Sequence, residues 1–117
     1  MLPKINRLTK KKDIDLVFKK GRSFKNDFLV FKTMKNHLKE SRFGFIVSKK
    51  VSNKATVRNK VKRRLRSIIL NNFKKNSPNS IKKPLDIIII ALFGIEKKEF
   101  SEVKSNIFKV FEKLNLI

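Results

Sequence analysis

Read from the N-terminus, the apolar positions of this chain switch between a helical and an extended period. Between Thr9 and Lys19, Ile14, Val17 and Phe18 recur at helical spacing beside Leu16. Thr9 offers an N-cap and Gly21 a stop, so a first helix is predicted here. From Ser23 the period falls to two. Phe28, Val30 and Lys32 point one way and Leu29, Phe31 and Thr33 the other, which is a strand, and Arg22 to Lys25 adds a short strand before it. A polar turn, Lys35 to Ser41, separates it from a further strand, Arg42 to Lys49, with Phe43, Phe45 and Val47 on one face. The two longer strands are expected to pair as an antiparallel hairpin.

Val57 to Asn72 carries the clearest helical stripe, with Val57, Val61, Leu65 and Ile68 or Ile69 repeating every three or four residues. Lys74 to Lys83, with Pro78 and several Asn and Ser residues, reads as a loop. Leu85 to Leu92 is continuously apolar and rich in Ile, as a strand buried on both faces requires. It is predicted to be central. A last helix is predicted from Lys98 to Leu114, with Val103, Ile107, Val110, Phe111 and Leu114 in one stripe. The order is α-β-β-β-α-β-α: a single α+β domain over residues 1–117, one mixed central sheet with helices packed on it.

Charge changes the picture. Lys and Arg total 31 against nine Asp and Glu, a net charge of +22. Such self-repulsion is relieved by a polyanion. No acid occurs between Glu40 and Asp86, so one surface of the domain is expected to be almost purely positive. Cysteine is absent, which excludes disulfides and thiolate metal sites. The apolar run Ile87 to Phe93 is too short to span a bilayer, and the basic N-terminus lacks the apolar core of a secretory signal. A cytoplasmic protein without membrane attachment is expected. His37 stands alone in a polar turn, and neither a nucleophile–base set nor a phosphate-cradling glycine loop is present, so the polypeptide lacks the groups of a nuclease.

On a wheel of about 100° per residue, Asn59, Lys62, Arg63 and Arg66 lie opposite the apolar stripe of the Val57–Asn72 helix, with Lys60 and Arg64 on a flank. Arg58–Lys62, Lys62–Arg66 and Lys60–Arg64 are like-charge i,i+4 pairs, each costing roughly 0.2–0.5 kcal/mol. A merely solvated face would mix signs. Here six cations share one helix without an acid, which points to nucleic acid. Arg forks take phosphate oxygens bidentately, Lys supplies point charge, and Asn59 both donates and accepts. Ser48-Lys49-Lys50 forms a second basic cluster just upstream.

The segment Ala55-Thr56-Val57-Arg58-Asn59-Lys60-Val61-Lys62-Arg63-Arg64-Leu65-Arg66 resembles the signature of the bacterial ribonuclease P protein family. That signature is Ala, two residues, Arg-Asn, two residues, Lys-Arg, two residues, Arg. Asp13 to Arg22 resembles the family's first helix and turn, Phe28 to Phe31 its next strand, and Leu85 to Ala91 its buried strand. The resemblance implies a ribosomal-protein-like fold with a left-handed crossover. It implies a monomeric protein that binds a catalytic RNA and the 5′ leader of precursor tRNA. It further implies that the RNA, using magnesium, removes the leader by hydrolysis. Carried over, Arg58, Asn59, Lys62, Arg63 and Arg66 would meet RNA and help organise metal near the cleavage site, and Ser48, Lys49 and Lys50 would add RNA contacts. The leader would lie between the first helix and the sheet against Phe18, Leu29 and Phe31, with Lys62 and Arg66 at the rim. A structural RNA binder of ribosomal or RNA-chaperone type is the alternative on charge and element order alone.

Overall fold

A computed structural model describes residues 2–73 and 80–117. The elements are α1 (Lys11–Lys20), β1 (Arg22–Asn26), β2 (Leu29–Lys35), β3 (Arg42–Ile46), α2 (Ala55–Asn72), β4 (Leu85–Ala91) and α3 (Phe100–Lys113). Short 3-10 turns at Lys4–Asn6 and Ile95–Lys97, too brief to leave a periodic signal, complete the order. Of the loop expected over Lys74 to Lys83, the part from Lys74 to Asn79 lies outside the described residues.

The strands form one sheet in the order β1-β2-β4-β3. β4 is interior, antiparallel to β2 and parallel to β3. The hairpin expected between β2 and β3 therefore does not form. A strand apolar on both faces needs a ladder partner on each side, and the crossover through α2 inserts β4 between them. The hairpin is instead β1–β2, in which Asn26 and Leu29 are paired across the two-residue turn Asp27-Phe28. Asp27 takes the left-handed conformation, φ 50°, and Phe28 is buried. With Phe where a tight turn prefers Gly, the sequence gives no hairpin signal here.

Side-chain alternation along β4 sorts the two layers. Ile87, Ile89 and Ala91 face α2 and α3, joining Val61, Leu65, Ile68, Ile107 and Phe111 in the main core. Ile88 and Ile90 face α1, packing with Leu8, Val17, Ile14, Met34 and Ile46. Lys10, not Thr9, caps α1, and it does so without a side-chain hydrogen bond. Gly21 ends that helix for a steric reason: its φ is −74°, but a Cβ there would sit 2.5 Å from the Val17 carbonyl oxygen and 2.8 Å from that of Thr33. Both obstacles are backbone. Gly21→Ala should therefore cost about 1–3 kcal/mol by forcing α1 away from β2, and urea denaturation checks it.

One polar group crosses the α1 side of this core. Asp86 on β4 is 2% exposed and accepts two hydrogen bonds from Arg42 of β3, at 2.8 and 2.6 Å. Arg42 also reaches Asp13 of α1 at 3.1 Å, and the Asn36 side-chain amide donates to Asp86 at 2.9 Å. Hydrogen bonding to Asp86 raises the Arg42 pKa from its ordinary value, while burial opposes the rise. Helix, edge strand and central strand are thus joined through one guanidinium.

Candidate nucleic-acid interface

α2 buries Val61, Leu65, Ile68 and Ile69 against the sheet and α3, and this fixes where its charges go. Asn59 and Arg63 are exposed, while Lys62 and Arg66 are half-buried on the outward side. The side chain of none of the four makes an ion pair or hydrogen bond with another described residue. The first turn contains no acid and the N-cap, Lys54, gives no side-chain hydrogen bond. The positive end of the helix dipole is therefore surrounded by cations, which disfavours the isolated helix and favours a bound anion.

The loop from Ser48 to Lys54 delivers a second set of charges to that end. The Ser48 hydroxyl accepts from the Lys50 amide at 3.3 Å and the Ser52 hydroxyl from the Lys54 amide at 3.2 Å, so the loop folds on itself. Ser48, Lys49 and Lys50 remain exposed. Arg58 differs from its neighbours. One of its Nη atoms donates to the carbonyls of Ser52 and Asn53, both at 3.0 Å, bracing the loop against α2. On the flank, Arg64 reaches the Lys98 carbonyl at 3.5 Å and so belongs to the α3 side.

The cleft expected between α1 and the sheet is assembled differently. Leu29 and Phe31 are both 0% exposed and lie in the α2–α3 core, where Phe31 meets Phe111 edge-on at 5.9 Å. They point away from α1 and cannot touch a ligand there. The period-two reading separated Val30 and Lys32 from Leu29 and Phe31. Phe28, which it placed with Val30, is in the turn and packs in the same core as Leu29 and Phe31. It is the face of Val30 and Lys32 that α1 covers. Phe18 does lie on the α1 side, 43% exposed, with the Lys32 ammonium 5.4 Å from its ring centre. Lys32 is thus a candidate that sequence reasoning missed; its signal was a cation in mid-strand on the same face as Val30. Lys62 and Arg66 lie on the α2 layer rather than at the rim of that cleft, and Arg66 lines a groove at the edge of β3.

Among the described residues no group of three His, Cys, Asp or Glu could hold a metal. Asp13, in the first turn of α1, is paired with Arg42. No described helix is long and apolar enough to cross a membrane.

A four-stranded α+β domain that keeps an acid-free row of Lys and Arg on a rigid helix is built as a nucleic-acid-binding protein. The comparisons narrow the class: the family model for ribonuclease P matches residues 2–115. A ribonuclease P protein component from Streptococcus pneumoniae is 35% identical over 106 residues, covering 91% of this chain and 81% of the relative. Among solved structures, a mutant ribonuclease P protein from Staphylococcus aureus superposes with a TM-score of 0.84 at 28% identity, covering 97% of this chain and 92% of that one. The Thermotoga maritima ribonuclease P protein gives 0.78 at 32% identity, covering 92% and 96%. The chain belongs to the ribonuclease P protein family.

Proposed function

We propose that this chain is the RNA-binding subunit of a ribonuclease P endoribonuclease, and that its partner RNA carries the chemistry of tRNA 5′-leader removal. The observation that carries the reading is the outward face of α2, where Lys62, Arg63 and Arg66 have no acidic partner among the described residues. A structured RNA supplies the missing anions at fixed spacing. Asn59 and the loop Ser48, Lys49 and Lys50 extend the contact, and Arg58 holds that loop in place.

In this reading the precursor's single-stranded leader runs along the α1 side of the sheet, where Phe18 offers a ring for base stacking and Lys32 a charge for phosphate. Magnesium serves the RNA. Asp13 and Asp86, two acids of that side, are already held by Arg42. The protein's contribution is charge neutralisation and substrate positioning.

Reconstitution tests this. The chain alone should leave a leader-bearing precursor tRNA intact, and adding it to its cognate RNA at low magnesium should accelerate 5′-leader removal. Cleavage unaffected by the protein would overturn the proposal. Binding to ribosomal particles, with no preference for precursor over mature tRNA, would favour the structural RNA-binder alternative.

A further inference from the structure

A groove of about 330 Å³ opens at the free edge of β3, next to the cationic face of α2 and outside the α1 cleft. Its walls come from three places: Leu8 and Thr9 of the N-terminal segment, Phe43 and Phe45 of β3, and Arg66 of α2. Arg7 also lines it, and no acid does. Backbone groups on alternate strand residues face opposite neighbours, so those of residues 43 and 45 point away from β4. The Phe43 carbonyl accepts from the Leu8 amide at 2.9 Å. Beyond that bond the N-terminal segment leaves the edge to enter α1. The Phe45 amide and carbonyl are left without a hydrogen-bond partner among the described residues.

We infer that this groove receives a single unpaired RNA base, turned out of the strand whose phosphates lie on α2. The inference rests on the reading of α2 as an RNA-binding helix and adds a base-binding site to it. Small-ligand sites run from about 300 to 1,000 Å³, so this one has room for one heterocycle and not for a helix. Its floor is apolar, as stacking requires. The free edge of Phe45 presents one donor and one acceptor, the complement of a base edge. Arg66 belongs to both the phosphate-facing row and the groove wall, so a nucleotide bound on α2 has its base at the groove mouth. A planar guanidinium there can stack on the base or hold its phosphate.

Thr9 is exposed and makes no described hydrogen bond, so Thr9→Trp should fill the groove while leaving the core intact. With the cognate ribonuclease P RNA, the variant is expected to bind about tenfold more weakly, the loss of one stacked base. In chemical probing it should lose protection of one unpaired nucleotide and keep the rest of the footprint. Unchanged affinity and an unchanged footprint overturn the groove proposal and leave the α2 reading standing. Failure of the unaltered chain to bind the RNA removes both. Should Thr9→Trp not fold, Phe45→Trp provides a second readout, because the chain has no native tryptophan. Quenching of its emission on adding RNA is expected, and unaltered emission at saturating RNA overturns the inference.

Discussion

Arg42→Met should destabilise the protein by about 3–5 kcal/mol, a large share of the roughly 5–15 kcal/mol that holds a domain of this size together. The loss comes from what stays behind. Asp86, 2% exposed on the central strand, would be left with only the Asn36 amide as a partner among the described residues. Arg42 itself is 21% exposed and can be solvated, so the complementary change Asp86→Leu should cost less. Combining the two should recover part of the deficit, since an apolar pair of similar volume often replaces a buried ion pair at little cost. Arg42→Lys should rescue incompletely, because an ammonium cannot reproduce the fork that meets both Asp86 oxygens. A raised arginine pKa gives stability that is present below its unfolded value and fades only as pH climbs through the folded one. From the guanidinium side, then, the contribution is constant across the neutral range. Urea denaturation of the two single variants and the pair checks the set; equal stability of Arg42→Met and the unaltered chain would show the network to be dispensable.

Replacing Arg63 and Arg66 together by Ala should weaken RNA binding about a hundredfold at moderate salt and make log Kd less steep in log salt by about two. On the proposed reading each side chain meets one phosphate, and the fold should not depend on either, since neither side chain bonds to a described residue. Thermal stability should hold or rise, because two like charges leave a helix with unrelieved repulsion. Unfolding of the double variant would instead assign these residues a structural role. Asn59→Ala should be milder, with affinity reduced and the salt slope unchanged. Binding isotherms at several salt concentrations separate the charged from the neutral contribution.

Much of this architecture was legible in periodicity. The stripe Val61, Leu65, Ile68 and Ile69 placed α2 and so fixed the direction of its charges, and the Ile run of β4 announced a strand covered on both sides. Pairing was not legible. Nothing local distinguishes β2 beside β3 from β2 beside β4, because ladder partners are chosen by tertiary packing. The face that α1 covers was equally hidden, so nothing in the periodicity could correct the grouping of Leu29 and Phe31 with Phe18 that the family resemblance implied, although they point the other way. Asp86 was invisible for a related reason. It reads as a lone acid in an apolar run, and its partner Arg42 stands 44 residues earlier. The groove at β3 depends on where the N-terminal segment leaves the sheet edge, a three-dimensional event with no sequence mark.

The cationic side of α2 can be tested for contact with RNA directly. The chain has no cysteine, so a single introduced thiol carries a tethered hydroxyl-radical source to one chosen point. Asn59→Cys puts it on α2, and Ser105→Cys, an exposed and nearly isosteric change, puts it on α3. In the complex with the cognate RNA, the source at position 59 should cut the RNA backbone at a few clustered sites while that at position 105 cuts little. Strong cutting from α3 with none from α2 would contradict the account.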